Sequence, residues 1–140
     1  MMIIDAKGLI GGRLSTKVAK SLINGESVVV LNAEETIMTG NRDSIIEKFS
    51  IRINAAVKSN PHFGPKYARI PDRMFRRMVR NMLPTTKRAK ERLIKKLSVY
   101  NTVPKEMEKE KAITFEMFKC NERHSYMTFK EIALELGGRW

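Results

Sequence analysis

The sequence has few of the residues that build disulfide frameworks and metal centres. It contains one cysteine, Cys120, and two histidines, His62 and His124, among 140 residues. A single cysteine forms no internal disulfide, and neither histidine lies at the spacing from another ligand residue that zinc sites use. We therefore expect no metal and no cofactor, and we interpret Cys120 as a structural residue.

Long apolar runs are also lacking. No stretch approaches the roughly 20 apolar residues that a membrane-spanning helix needs. The first residues do not show the charged-then-apolar order of a signal peptide. We expect a soluble, cytoplasmic protein without a membrane partner, whose length suits one domain with an adequate core.

Acidic residues are scarce in one region. Residues 58–96 contain thirteen basic and two acidic residues, a net charge of +11, whereas residues 1–57 carry +1 and residues 97–140 carry zero. Charge concentrated in this way creates a positive local potential that attracts polyanions. Nucleic acid is therefore the leading partner.

The first part of this basic segment predicts an amphipathic helix. Ile70-Pro71-Asp72 is typical of a helix start, and Pro84 ends the helix. One face carries apolar residues at helical spacing: Met74, Phe75, Met78, Val79, Met82 and Leu83. The other face carries Arg73, Arg76, Arg77 and Arg80, which we expect to face outward.

A second basic helix is predicted after Thr85 or Thr86, either of which suits an N-cap. Its apolar seam, consisting of Ala89, Leu93 and Leu97, is narrow. An ordinary solvated face is the alternative interpretation. Thirteen bases against two acids is too one-sided for a usual surface, because like charges at helical spacing repel unless an anion neutralises them. Contact with RNA or DNA phosphates is therefore favoured.

An extended loop is predicted over residues 59–69, which contain two prolines and a glycine. His62, Phe63 and Tyr67 alternate there with Lys66 and Arg69. This mixture is typical of surfaces that stack on exposed bases while holding phosphates. Aromatic residues that anchor the loop to the protein body would give the same pattern, so both interpretations stay open.

The remaining sequence alternates predicted strands and helices, which indicates a layered α/β domain. We expect strands at 2–6, 28–31, 36–38 and 98–103, and either a strand or an extended tail at 112–118. Helices are expected at 13–23, from Asn41 or Asp43 to Val57, and after a capping box formed by Thr128 and Glu131. Residues 105–111 form a balanced charged linker.

Two alternative classes are a freestanding nucleic-acid-binding regulator, which would share the basic segment, and an enzyme. Gly8, Gly11 and Gly12 lie in a strand-to-helix turn, Glu34 ends a strand as in dinucleotide-binding folds, and Tyr126 and Lys130 have the spacing used by short-chain dehydrogenases. The glycine spacing does not match G-x-G-x-x-G, and the chain is about half the usual length of such enzymes. We predict no enzymatic activity, no catalytic residue and no small-molecule substrate.

The sequence resembles the universal ribosomal protein family L thirteen of the large subunit, in its archaeal or eukaryotic-like form. The resemblance covers nearly the whole chain. It is carried by Ile4-Asp5-Ala6, Gly12-Arg13-Leu14-Ser15, Val18-Ala19-Lys20, Val28-Val29-Val30-Leu31-Asn32-Ala33-Glu34, Gly40-Asn41, His62-Phe63-Gly64-Pro65-Lys66-Tyr67-Ala68-Arg69-Ile70-Pro71, the run from Arg73 to Pro84, Val99-Tyr100-Asn101 and Val103-Pro104.

The resemblance implies a three-layer α/β domain with a small, mostly parallel sheet flanked by helices. It also implies an rRNA-binding domain at 1–104, with a C-terminal extension at 105–140 packed on it. The implied function is that of a structural constituent of the cytoplasmic large ribosomal subunit, which contacts large-subunit rRNA and neighbouring ribosomal proteins and aids subunit assembly. We predict the following RNA-binding residues: Lys58, His62, Lys66, Tyr67, Arg69, Arg73, Arg76, Arg77, Arg80, Lys87, Arg88, Lys90 and Arg92.

Overall fold

Three short parallel strands form the centre of the fold. A computed structural model of the protein describes residues 1–108, 110–120 and 125–140. Two residues considered above, His124 and Lys109 of the charged linker, lie outside the described residues. The parallel strands are β1 (Met2–Asp5), β2 (Val28–Leu31) and β4 (Leu97–Val99). Two further strands, β3 (Ile37–Thr39) and β5 (Tyr126–Thr128), form a second sheet.

The parallel sheet has the order β1-β2-β4. Val28 is aligned with Met2 on one side and with Leu97 on the other. Strand β2 is therefore central, and all four of its residues are buried. The continuous run of β-branched residues predicts this position, because a central parallel strand is covered on both faces.

Five α-helices are found in the described part of the chain. The structure confirms the proline-bounded helix and the capping box, in which Glu131 N donates to Thr128 Oγ1 at 3.2 Å and Thr128 N donates to Glu131 Oε2 at 2.8 Å. The helices are α1 (Gly11–Ile23), α2 (Arg42–Asn54), α3 (Pro71–Met82), α4 (Lys87–Ile94) and α5 (Phe129–Glu135).

The two faces of the parallel sheet are covered differently. Ile4, Val28 and Val30 belong to the main core, which also contains buried hydrophobic side chains of α1, α3 and α5. The opposite face carries Ile3, Val29 and Leu31, against which Val103 and Met107 pack. The α/β class with a small, mostly parallel sheet is confirmed, and the layer on this second face comes from the chain that follows β4.

Strand β5 was not predicted from the sequence. It pairs antiparallel with β3, with Met38 aligned with Met127, so the brief strand predicted at 36–38 belongs to a separate two-stranded sheet. Only three residues make up β5, and the capping residue of α5 is its last residue. A segment this short gives no periodic signal of its own.

Several predicted boundaries were wrong. Helix α1 begins at Gly11 rather than Arg13. Helix α2 ends at Asn54, so Val57 lies beyond it and is exposed. Leu97 is buried as the first residue of β4 and does not belong to the seam of α4. The errors at Val57 and Leu97 arise because an apolar residue continues the helical spacing beyond the end of the helix.

The segment before the last strand is an extended tail with a short 3₁₀ turn at Glu116–Phe118. Asp5 N donates to Ile113 O at 3.2 Å, and Ile113 N donates to Ile3 O at 2.9 Å. Ile10 N donates to Phe118 O at 2.8 Å. The two hydrogen bonds of Ile113 cover part of the free edge of β1, which would otherwise expose unpaired backbone groups.

The first two residues of α1, Gly11 and Gly12, provide a matched test of how closely the start of this helix packs against Thr36 and Phe129. A Cβ on Gly11 would lie 3.0 Å from Thr36 Cγ2 and 3.1 Å from Phe129 Cζ, whereas a Cβ on Gly12 would meet no atom within 4 Å. Thr36 and Phe129 are fully buried. We expect Gly11→Ala to lower the free energy of unfolding by about 1–3 kcal/mol. Gly12→Ala should raise it by roughly 0.5 kcal/mol. Urea unfolding followed by circular dichroism measures both, and equal effects would contradict the packing.

Candidate nucleic-acid interface

Helix α3 is held in the fold by its apolar face. Met74, Phe75 and Val79 are buried, and the helix contacts α1, α4, α5 and β4. Pro71 occupies the first helical position, where its missing N–H leaves no hydrogen bond unmade. Because the apolar face is fixed in the core, the arginines on the other side project from the protein in a defined direction.

A basic groove lies between α3, α4 and the loop that precedes α3. It encloses about 310 Å³. Six of its lining residues are cationic and one, Glu91, is acidic, so the groove is strongly positive. The cations are Lys66 from the loop, Arg73, Arg76, Arg77 and Arg80 from α3, and Lys90 from α4.

The positive charges of the groove are not neutralised within the described part of the chain. The ion pairs in the described part of the chain all lie elsewhere: they join Lys7 to Glu35, Arg42 to Glu135, Lys119 to Glu116 and Lys130 to Glu34. None of these pairs involves a residue of 58–96. Mutual repulsion therefore remains in the free protein, and a bound polyanion would relieve it.

Two of the predicted RNA-binding arginines also make contacts within the protein. Arg76 Nη2 donates to Ile94 O at 3.0 Å, which joins α3 to the end of α4. Arg77 Nη1 donates to Lys66 O at 2.9 Å, which joins α3 to the loop. Each guanidinium has five N–H donors, so both retain donors for a phosphate. Part of their role is to set the shape of the groove.

Tyr67 is an anchor of the loop. Its half-buried ring lies 3.6 Å from the Arg77 guanidinium carbon, a cation–π contact. Arg52 of α2 approaches the same ring at 6.0 Å. His62 and Phe63 are exposed, and Phe63 is 79% exposed to solvent. The two interpretations of the loop aromatics therefore apply to different residues. Tyr67 anchors the loop to the protein body, whereas Phe63 is available to stack on a base.

The C-terminal segment supports the same loop from behind. Gly138 packs so closely that a Cβ on it would overlap Arg69 O and would lie 2.9 Å from Ala133 O. Gly138 N also donates to Ala133 O at 2.7 Å, after α5 has ended. Gly138 thus packs against the backbone of Arg69, two residues before α3 begins.

The remaining predicted residues lie outside the groove lining. They are exposed and extend the positive surface along the loop and α4: Lys58, Arg69, Lys87, Arg88 and Arg92. Lys48 and Arg52 of α2, which were not predicted from the sequence, lie beside Tyr67 and Arg77 in an adjoining cleft. Their signal was the spacing of four residues, which places both on one face of a helix.

The features that suggested an enzyme have structural explanations. Glu34 and Lys130 approach each other at 4.0 Å as an ion pair, and Tyr126 lies in β5 rather than on the helix of Lys130. Gly11 and Gly12 are helical. Within the described ranges there is no cluster of residues suited to a metal ion and no helix long and apolar enough to cross a membrane.

Comparison with known proteins identifies the family. The profile of a family described as ribosomal protein L13 matches residues 1–106. The chain belongs to the ribosomal protein L13 family. It is 38% identical to the large ribosomal subunit protein uL13 of Methanosphaera stadtmanae, with 99% of this chain and 98% of that protein covered. It is 36% identical to the uL13 protein of Methanocaldococcus jannaschii over the full length of both.

Membership in the ribosomal protein L13 family confirms the resemblance found in the sequence, including its archaeal character. A third relative, the uL13 protein of Thermoplasma acidophilum, is 35% identical over 99% of both chains. Members of this family are structural ribosomal proteins, so the interpretation as a non-enzyme is also confirmed. The family match covers the parallel sheet and both basic helices.

The tether between Arg77 and the loop, which consists of the hydrogen bond to Lys66 O and the cation–π contact with Tyr67, can be tested directly. Arg77→Ala removes a hydrogen bond to Lys66 O and the contact with the Tyr67 ring, so we expect the free energy of unfolding to fall by about 1–3 kcal/mol. The loop should also become more accessible to trypsin at Lys66. Arg73→Ala is the matched control, because Arg73 is exposed and makes no hydrogen bond or ion pair in the described residues. Equal stability and equal cleavage of the two variants would contradict the tether.

Proposed function

We propose that the protein is a structural constituent of the cytoplasmic large ribosomal subunit and binds large-subunit rRNA through the basic groove. The observation that supports this most strongly is the convergence of six cations from three chain segments, without ion-pair partners among the described residues. A groove of this kind neutralises closely spaced phosphates of a folded RNA. The names of the relatives indicate the large subunit as the place of assembly.

In this proposal the arginines of α3 fix the position of the RNA. A guanidinium can hold a phosphate with two parallel N–H···O bonds, which constrains orientation more tightly than a lysine ammonium does. Arg73 and Arg80 are exposed at the two ends of the arginine face, so they are free to form such pairs. Lys87, Arg88, Lys90 and Arg92 would contact the phosphates further along α4.

The loop would contribute contacts to bases and sugars. Phe63 is exposed and lies directly after His62, at a 3₁₀ turn spanning Pro61–Phe63. Single-stranded loops and bulges of RNA present bases that stack on such side chains. The proposed RNA-binding surface therefore combines phosphate contacts from helices with stacking from the loop.

We also propose that residues 105–140 form an extension packed on the RNA-binding domain at 1–104. Hydrogen bonds from Ile113 to β1 and the close packing of Gly138 on Arg69 support this arrangement.

The exposed apolar side chains of Ile51, Val57 and Met117 are candidate contacts for neighbouring ribosomal proteins. By ordering rRNA around a rigid groove, the protein would also aid subunit assembly.

The first test is binding of the purified protein to large-subunit rRNA over a salt series, with an unrelated structured RNA of equal length as competitor. We expect selective binding that persists at physiological salt. The double variant Arg73→Ala, Arg80→Ala should bind more weakly. Its log–log salt slope should be shallower by about 1.4–1.8, because each lost phosphate contact reduces the slope by roughly 0.7–0.9.

The matched control is Lys105→Ala, Lys111→Ala, which removes the same charge from exposed positions outside the basic segment. This control should keep the slope of the wild-type protein to within about half a unit, less than the loss of one phosphate contact. Equal slopes for the two double variants would contradict the placement of the RNA in the groove. Equal affinity of the wild-type protein for both RNAs would contradict ribosomal RNA as the specific ligand.

A further inference from the structure

A second cleft lies beside the basic groove, between α2 and α3. It encloses about 270 Å³. Its floor is apolar and includes Phe49, Met74, Met78 and Phe129. The polar residues around it are Lys48 and Arg52 from α2, Tyr67 from the loop, and Arg77 and Asn81 from α3.

The charge of this cleft selects an anionic ligand. Three of its lining residues are cationic, and no acidic residue lines it in the described part of the chain. Lys48 and Arg52 are exposed and form no ion pair with any described residue. An uncharged apolar segment of another protein would leave these cations without partners, which is unfavourable once water is excluded.

The floor of the cleft suits a flat, aromatic group. Phe49 and Met78 are only partly buried and both line the cleft, so a ring and a thioether are accessible from it. Aromatic rings and polarizable sulfur both make favourable contacts with flat rings such as nucleobases. Asn81 is exposed at the rim, and its amide offers both a donor and an acceptor to the edge of a base.

The cleft adjoins the basic groove. Ala68 and Arg77 line both, so a nucleic-acid strand that runs along the groove passes the mouth of the cleft. The cleft volume is slightly below the range of about 300–1,000 Å³ typical of sites for drug-sized ligands. One base fits a site of this size, and a paired helix does not.

We propose that the cleft between α2 and α3 binds one unpaired nucleotide of RNA. Its base lies against Phe49 and Met78, and its phosphates are held by Lys48 and Arg52. The inference deepens the proposed function and rests on it, since the groove delivers the strand to the cleft. It adds two α2 residues to the RNA-binding surface and gives the protein a way to distinguish bulged from fully paired RNA.

The test compares three RNA hairpins of equal length in the same buffer. One has a single bulged adenosine, one has an abasic site at the bulge, and one is fully paired. The wild-type protein should bind the adenosine bulge at least about fivefold more tightly than the abasic bulge, because stacking of one base contributes a factor of that size or more. Equal affinity for the adenosine and abasic bulges would overturn the proposal.

Two variants separate stacking from charge. Phe49→Leu keeps an apolar side chain but removes the ring, so it should reduce the preference for the adenosine bulge to about twofold or less. The double variant Lys48→Ala, Arg52→Ala should weaken binding of both bulged hairpins by about tenfold. Thermal unfolding of each variant establishes that it is folded. An unchanged base preference in folded Phe49→Leu would also overturn the proposal.

The matched control for the charge variant is Arg13→Ala, Lys20→Ala, which removes two exposed cations of α1 that lie outside the cleft lining. This control should retain the full base preference and most of the affinity. If both double variants weaken binding equally, Lys48 and Arg52 act only through net charge and the proposal is overturned.

Failure of this inference and failure of the proposed function give different results. A protein that selects large-subunit rRNA but binds the three hairpins equally would contradict the cleft alone. A protein that prefers the adenosine bulge but does not select large-subunit rRNA would contradict the proposed function while supporting the cleft.

Discussion

The structure depends on the burial of one face of α3. Phe75 and Val79 are fully buried, and Met74 is nearly so, which fixes the helix against α1 and β4. The opposite face carries arginines that repel one another, and this repulsion would favour a splayed or unfolded segment if the apolar face were weaker. Burial of each large apolar side chain contributes about 1.5–3 kcal/mol, enough to hold the charged face in place.

Contacts from other parts of the chain then convert a charged helix into a shaped surface. Arg76 ties α3 to α4, and Arg77 ties it to the loop and to the ring of Tyr67. Gly138 supports the loop from the C-terminal side. The groove is therefore preorganised, which lowers the ordering cost that binding of an RNA would otherwise carry. In the large-subunit protein proposed here, the α/β core serves as the scaffold for this surface.

The sequence predicted the features that have a strong local signal. Pro71 and Pro84 predicted where α3 begins and ends, because proline restricts the backbone directly. The Val28–Leu31 run indicated a central strand, because both faces of such a strand are apolar. The capping box of Thr128 and Glu131 was equally clear. Charge counting located the basic segment, although whether each of its residues contacts RNA stays a prediction.

The missed features depend on contacts that are distant in sequence. Strand β5 forms because it pairs with β3, which lies roughly ninety residues earlier in the sequence. No short-range sequence pattern predicts a partner at that distance. The internal contacts of Arg77 and the place of Lys48 and Arg52 beside Tyr67 likewise follow from how α2, α3 and the loop pack. Composition identified the type of surface, whereas tertiary packing determined its shape.

The central claim is that phosphates of rRNA occupy the basic groove. The most direct measurement is a cryo-electron-microscopy structure of the large ribosomal subunit that contains this protein. Our account predicts rRNA phosphates within hydrogen-bond distance, about 3 Å, of the side chains of Arg73, Arg80 and Lys90. A structure in which this groove faces solvent or another protein, with rRNA bound elsewhere on the chain, would contradict it.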